Sequence, residues 1–258
     1  MPTIKELIEA KALFVANHSG GKDSMATLIE LLKVVPKEQL LVVHASLGIA
    51  EWPGALEKAQ EHALAHGLAF RVARANKTLF EMVERRFKKR PGVPSWPSAS
   101  TRQCTSDLKR DPIAKAVRGY ATEHGYSIIV NCLGIRAQES VSRAKREVWS
   151  VNTRETNAKR SWYEYLPIHG LSTKDVFELI ATQELKPHYA YMLGNERLSC
   201  VFCIMSSRND LIIGQRHNSD LFNQYLGLEA KTGYTMHMSR NSLQELVFGT
   251  NFSGQLAA

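Results

Sequence analysis

Little in this sequence points outside the cell or into a membrane. No apolar run approaches the roughly 20 residues that span a bilayer. The opening Met1-Pro2-Thr3-Ile4-Lys5-Glu6 has no basic head followed by a long apolar stretch, so no secretory signal is read and a cytoplasmic protein is expected. Cysteine is scarce, with Cys104, Cys132, Cys200 and Cys203 alone among 258 residues. In a reducing cytoplasm structural disulfides are not expected, and a close pair is better read as metal-binding or catalytic. Acid is also short: 25 Asp and Glu face 33 Lys and Arg, a net charge of +8. That balance favours anionic partners, although a basic protein with no polyanion partner has the same composition. There is no internal repeat, no low-complexity tract and no Ser-His-Asp arrangement.

What the chain does have is a core. Hydrophobic residues make up 44%, enough for a globular domain. Short apolar runs alternate with amphipathic stretches in the first half. Strands are expected at 12–17, 40–44, 70–73 and 128–132, and helices at 25–32, 54–66, 78–89 and 111–124. Strands alternating with helices imply an α/β fold with a parallel sheet and flanking crossover helices. Residues 90–106 break the rhythm as a long loop, of the kind that is usually functional or mobile. Residues 144–164 are polar, basic and poorly periodic, and are expected to form a mobile exposed segment. From about 205 onward the pattern is helical. The expected division is a main α/β domain over 1–204, which includes the cysteines, and a helical C-terminal extension over 205–258 packed on it.

Between the first strand and the first long helix lies Ser19-Gly20-Gly21-Lys22-Asp23-Ser24. Two glycines let the backbone turn tightly and bring N–H groups near an anion. The following helix presents its N-terminus, where unpaired N–H groups and the helix dipole favour phosphate. Ser19 and Ser24 add hydroxyl donors and Lys22 a cation. The spacing is neither that of a Walker A loop nor G-x-G-x-x-G. His18, just ahead of the loop, is as compatible with a structural role as with contact to a nucleotide or substrate.

This element resembles the signature of the PP-loop ATP pyrophosphatases. Further segments are similar to the phosphoadenosine-phosphosulfate-reductase-like branch. They are Arg102-Gln103-Cys104-Thr105 with Leu108-Lys109 and Pro112, then Gly134-Ile135-Arg136 with Glu139-Ser140. Leu166-Pro167-Ile168 with Asp175-Val176 follows, and then Pro187-His188-Tyr189 leading to Cys200-Val201-Phe202-Cys203. The resemblance implies an adenine nucleotide α-hydrolase-like (Rossmann-like) fold with ATP at the carboxyl ends of the strands. It implies nucleotide contacts from Ser19, Gly20, Gly21, Lys22, Asp23, Ser24, Arg102, Lys109, Gly134 and Arg136, with Lys22, Asp23, Arg136 and Glu139 as catalytic groups. Reductases of the branch carry an Asp-Thr-Gly at the end of the second strand. Here Ser46 stands in that stretch, in place of an acid, and is counted among the expected nucleotide contacts.

The resemblance also brings Cys104 to the Cys200/Cys203 pair. Together they could hold a [4Fe-4S] cluster with one iron open, or a zinc ion with Cys132 or a histidine as fourth ligand; free structural thiols are the plain alternative. Cys132 ends a strand and reads first as a buried small hydrophobe. Arg85-Arg86-Phe87-Lys88-Lys89-Arg90 is a dense cationic run, and residues 143–160 supply a second, with Trp149 and Trp162 interleaved. These patterns suit nucleic acid, or simply a solvated face. The sequence shows no cysteine after Cys203, whereas sulfonucleotide reduction uses a nucleophilic cysteine near the C-terminus. The expected activity is therefore ATP- and Mg2+-dependent adenylation of a nucleic acid for sulfur insertion. Within the resemblance, DNA phosphorothioation fits better than tRNA thiolation. A cysteine desulfurase would donate sulfur, no membrane is involved, and an oligomer is compatible with this reading. A sulfonucleotide reductase and a non-sulfur ATP-binding or regulatory module are the alternatives.

Overall fold

The computed structural model of the chain describes residues 1–183 and 185–249. In chain order, the first elements are α1 (Ile4–Glu9), β1 (Leu13–Asn17), α2 (Lys22–Leu32), β2 (Leu40–Ser46), α3 (Ala55–Ala65), β3 (Ala69–Arg74) and α4 (Leu79–Lys89). A short α5 (Gln103–Thr105) runs through a π turn at Ser106–Arg110 into α6 (Asp111–Glu123), and β4 (Ile128–Cys132) follows. Then come α7 (Val141–Ala144), β5 (Trp149–Val151), β6 (Ser161–Tyr165) and α8 (Thr173–Ala181). The last are α9 (Arg208–His217), α10 (Ser219–Thr232) and α11 (Leu243–Phe248). None of the described helices is long and apolar enough to cross a membrane.

The chain forms two compact units that interleave in sequence. One comprises Met1–Ser46, Gly54–Arg74 and Asp111–His188; the other comprises Leu47–Pro53, Ala75–Arg110 and the chain from Tyr189 onward. Neither boundary falls at residue 204. The helices after 205 share a core with residues from the middle of the chain, among them Trp52, Val83, Trp96 and Leu108.

The first unit holds a six-stranded sheet of order β3-β2-β1-β4-β6-β5. All neighbours are parallel except the edge strand β5, which runs antiparallel to β6. This is the expected mostly parallel sheet with flanking helices. Leu13, Phe14, Val15 and Ala16 of β1 are all buried, because helices cover both faces. Leu13 and Val15 pack with Leu41, Val43 and the α6 residues Ala114, Val117 and Ala121. Phe14 and Ala16 point the other way, to Leu28 and Leu31 of α2 and Leu7 of α1. The order reverses between β1 and β4, since β2 and β3 lie to one side and β6 and β5 to the other. Open α/β sheets bind ligands outside the carboxyl ends of their strands at such a switch point.

Residues 144–164 are not a mobile segment. They supply β5 and β6, and β6 pairs with β4 along its whole length. Trp162 is buried against the α6 side of the sheet, and Trp149 stacks on Tyr165 at 4.2 Å. The basic residues hid the strands because their charges are met locally: Arg146 pairs with Glu164, and Arg154 with Asp111. The second unit is anchored by Tyr225, ringed by Phe80, Trp96 and Phe202. Trp96 is buried in this core and its indole N–H donates to the Tyr234 carbonyl at 2.9 Å, so the 90–106 loop is tied down at its middle.

Leu41 is fully buried in the central sheet. Leu41→Ala should therefore cost about 2–5 kcal/mol. Val34→Ala, at an exposed position, should stay within about 0.5 kcal/mol. Urea unfolding followed by circular dichroism measures both.

Candidate functional site

The phosphate loop occupies the turn from β1 into α2, on the carboxyl edge of the sheet. Gly20 has φ +79°, and a Cβ there would lie 2.5 Å from the Ala55 carbonyl oxygen, so only glycine fits. Gly21 is the N-cap of α2 and provides no side-chain cap, which leaves the helix start open toward an anion. The serines hold the loop's shape. The Ser24 hydroxyl donates to the Gly21 carbonyl at 2.7 Å and accepts the Ser19 N–H at 3.2 Å.

The loop after β4 closes the other side of the switch point. Arg136 is 4% exposed, and its Nε donates to Asp23 Oδ1 at 2.7 Å. The second Asp23 oxygen faces Lys22 Nζ at 3.5 Å. Two cations therefore share one carboxylate at the start of α2. That is a fitting electrostatic setting for a polyphosphate. The approach of the two loops is close: a Cβ on Gly134 would lie 2.9 Å from the Asp23 carbonyl oxygen. Glu139 does not pair with the Arg136 guanidinium. Its carboxylate accepts the Arg136 backbone N–H at 3.0 Å and forms an ion pair with Arg143. Beneath the loops, Asn17 Nδ2 donates to Asn131 Oδ1 at 2.7 Å and to the Cys132 carbonyl at 2.9 Å, tying the ends of β1 and β4 together. Ser46 ends β2 in register with Arg74.

Three buried histidines lie behind the loop. The Gly20 N–H donates to His18 Nδ1 at 3.0 Å, and His18 Nε2 lies 3.0 Å from His62 Nδ1. His44 Nδ1 lies 2.9 Å from the His18 carbonyl, which can only accept, so His44 is the donor. Burial, then the neighbouring His62 and His44, holds the His18 pKa well below the ordinary value. Burial, then Lys58, lowers His62 from 6.5 to about 4.

The second unit gathers the other predicted residues: Arg102, Cys104, Lys109, Cys200 and Cys203. Arg102 starts α5 with φ +40°, and Lys109 lies in the π turn, an irregularity frequent at functional sites. Cys104, Cys200 and Cys203 are partly buried free thiols. Residue 200 bridges Glu51, and the Val201 N–H donates to the Ala50 carbonyl at 3.0 Å, which fixes the Cys-x-x-Cys turn. Burial raises the Cys104 pKa, and the nearby Cys203 adds to it. Burial pushes Cys200 up to about 12, Lys109 opposes this, and Cys203 and Cys104 add to it. The three thiols thus share one neighbourhood, and burial favours the protonated form of Cys104 and Cys200. The adjoining Tyr225 hydroxyl is fully buried and finds no hydrogen-bond partner among the described residues. Soft thiols around an orphaned phenol suit a sulfur-rich group in donor chemistry. Among the described residues, however, no three His, Cys, Asp or Glu side chains stand close enough to hold a metal ion. Cys132 belongs to the sheet core of the first unit, where its thiol donates to the Val130 carbonyl.

The site is that of a nucleotide-binding α/β protein whose phosphate loop sits at the sheet's switch point. Residues 14–206 match the family described as phosphoadenosine phosphosulfate reductase domain, and the chain belongs to that family. It is 31% identical over 116 residues to an uncharacterized 37.8 kDa protein of Escherichia phage 186, covering 45% of this chain and 34% of that one. It is 27% identical over 197 residues to an uncharacterized protein of Methanocaldococcus jannaschii, covering 75% of this chain and 36% of that one. The chain thus matches about a third of the length of each of these relatives. Among solved structures it is similar to phosphoadenylyl-sulfate reductase from Candida auris, with a TM-score of 0.46 and 14% identity, covering 72% of this chain and 80% of that one.

Asn17, Asn131, His44 and His62 escaped the sequence reading. Each sits inside an otherwise apolar or helical stretch with no ligand spacing. His62 makes stability depend on pH. Its folded pKa of about 4 lies below its ordinary 6.5. Between these values the unfolded chain binds a proton that the folded chain refuses, so stability is full above 6.5 and falls as pH drops toward 4. The loss attributable to His62 should approach about 3 kcal/mol. Urea unfolding across that pH range should show it, and His62→Phe should flatten that part of the slope.

Proposed function

We propose that this chain binds ATP with Mg2+ and transfers its adenylyl group to a nucleic-acid oxygen, activating that position for replacement by sulfur, most naturally in the DNA backbone. The observation that carries the reading is the Lys22–Asp23–Arg136 cluster, set where a triphosphate would lie against the start of α2. A substrate oxygen attacks the α-phosphorus, the α–β phosphoanhydride bond breaks, and pyrophosphate leaves. The loop N–H groups, Lys22 and Arg136 stabilise the charge that builds on the leaving group. Asp23 orients both cations, and Glu139 holds the Arg136 backbone. A Mg2+ ion would be held mainly by the phosphates.

A [4Fe-4S] cluster on Cys104, Cys200 and Cys203 would supply the sulfur-transfer chemistry, with a cysteine desulfurase as the source of sulfur. Arg102 and Lys109, on the same unit as the thiols, supply positive charge for an anionic substrate. Exposed Arg85, Lys88, Lys89 and Arg90 on and after α4 supply more, in the manner of phosphate-tracking surfaces.

Anaerobically purified protein given ATP, Mg2+, DNA and sulfide should release pyrophosphate on adenylation and AMP when sulfide displaces it from the adenylated position. Asp23→Asn and Arg136→Ala should each lower that release by about 100-fold or more; undiminished release would refute the loop assignment. The same sample should contain iron and acid-labile sulfide, whereas zinc alone would refute the sulfur step. DNA affinity should fall steeply as salt is raised, and binding indifferent to salt would count against the basic surface.

A further inference from the structure

The histidines behind the phosphate loop have a single consistent arrangement of protons. The Gly20 N–H donates to His18 Nδ1, so that nitrogen carries a lone pair and no proton. The neutral His18 ring must then carry its proton on Nε2 and donate it to His62 Nδ1 at 3.0 Å. His62 in turn keeps its own proton on Nε2, which is buried and meets no acceptor among the described residues. The rings meet edge to face, with centroids 5.0 Å apart. The His18 backbone is fixed at both ends, its N–H on the Val43 carbonyl at 2.9 Å and its carbonyl on His44.

A pair built only for packing would not leave a buried N–H without an acceptor, since cores avoid that arrangement. Here the chain of donors starts at the Gly20 loop amide, passes through His18 and ends on the His62 Nε2–H. Gly20 is also the residue with positive φ, so its peptide decides which way the amides that follow it face. We infer that His18, locked by His62 in the Nε2–H tautomer, is a positioning residue that sets the phosphate-receiving shape of the Ser19–Ser24 loop. The inference rests on the nucleotide reading above only for the identity of the ligand. His18 touches the loop backbone, and its effect on phosphate passes through Gly20.

The tautomer makes the test specific. An asparagine at 18 can place its side-chain oxygen near Nδ1 and accept the Gly20 N–H, whereas a glutamine reaches toward Nε2 and cannot. Calorimetric titration with ATP and with adenosine should show His18→Asn within about 3-fold of the wild type for both. His18→Gln should bind ATP at least about 10-fold more weakly, with adenosine unchanged. Nitrogen NMR of the imidazoles should find His18 neutral and protonated on Nε2, and amide exchange at Gly20 should be slow in the wild type and in His18→Asn but fast in His18→Gln. Equal ATP affinity in all three proteins, equal loss of ATP and adenosine, or the opposite His18 tautomer would each overturn the inference. Should His18→Gln fail to fold, the wild-type tautomer and Gly20 exchange decide it. A wild-type chain that takes up no ATP refutes the nucleotide reading, and those two NMR readouts then decide the positioning role on their own.

Discussion

A buried guanidinium must find a carboxylate, and Arg136 finds Asp23. Most of what is particular about the first unit follows from that bond. Leaving either charge unpaired in so enclosed a place would cost several kcal/mol, so the loop after β1 and the loop after β4 hold one another in place. Gly134 is required because the loops approach so closely. The Asn17–Asn131 bond repeats the tie one layer deeper, between the strands themselves. The sheet brings the two loops to neighbouring positions by reversing its order between β1 and β4, and the ion pair turns that adjacency into a site.

The loop and the strands beneath it were legible because their signals are local. Two glycines, a lysine and two serines between an apolar run and an amphipathic one can be read without knowing the fold. The partners of Arg136 were not legible in this way. Glu139, three residues on, is the partner that spacing suggests, while Asp23 lies 113 positions away. The same holds for His18, whose neighbours come from β2 and α3. The strands at 149–151 and 161–165 were hidden differently. Basic residues flank them, with charges met by Glu164 and Asp111, so the composition looked like a loop where the backbone is paired.

The second unit shows how far charge and burial alone carry the cysteine chemistry. Cys104 comes from the stretch before the π turn, and the Cys200/Cys203 pair from a turn pinned to residues 50 and 51. Cys104 and Cys203 pack against the aromatic core around Tyr225. Burial favours the protonated form of Cys104 and Cys200, so a metal-bearing group would have to displace protons to enter. Loading would then be favoured by alkaline conditions and opposed by acid.

The interleaving of the two units bears on how such a protein can be altered by evolution. Neither unit is a continuous stretch, so no single crossover between genes can exchange one without cutting the other. A second unit cannot simply be exchanged while the unit bearing the phosphate loop is kept whole. Change must arrive as insertions within the connecting segments or as substitutions spread over three separate regions, and every intermediate must keep both hydrophobic cores filled.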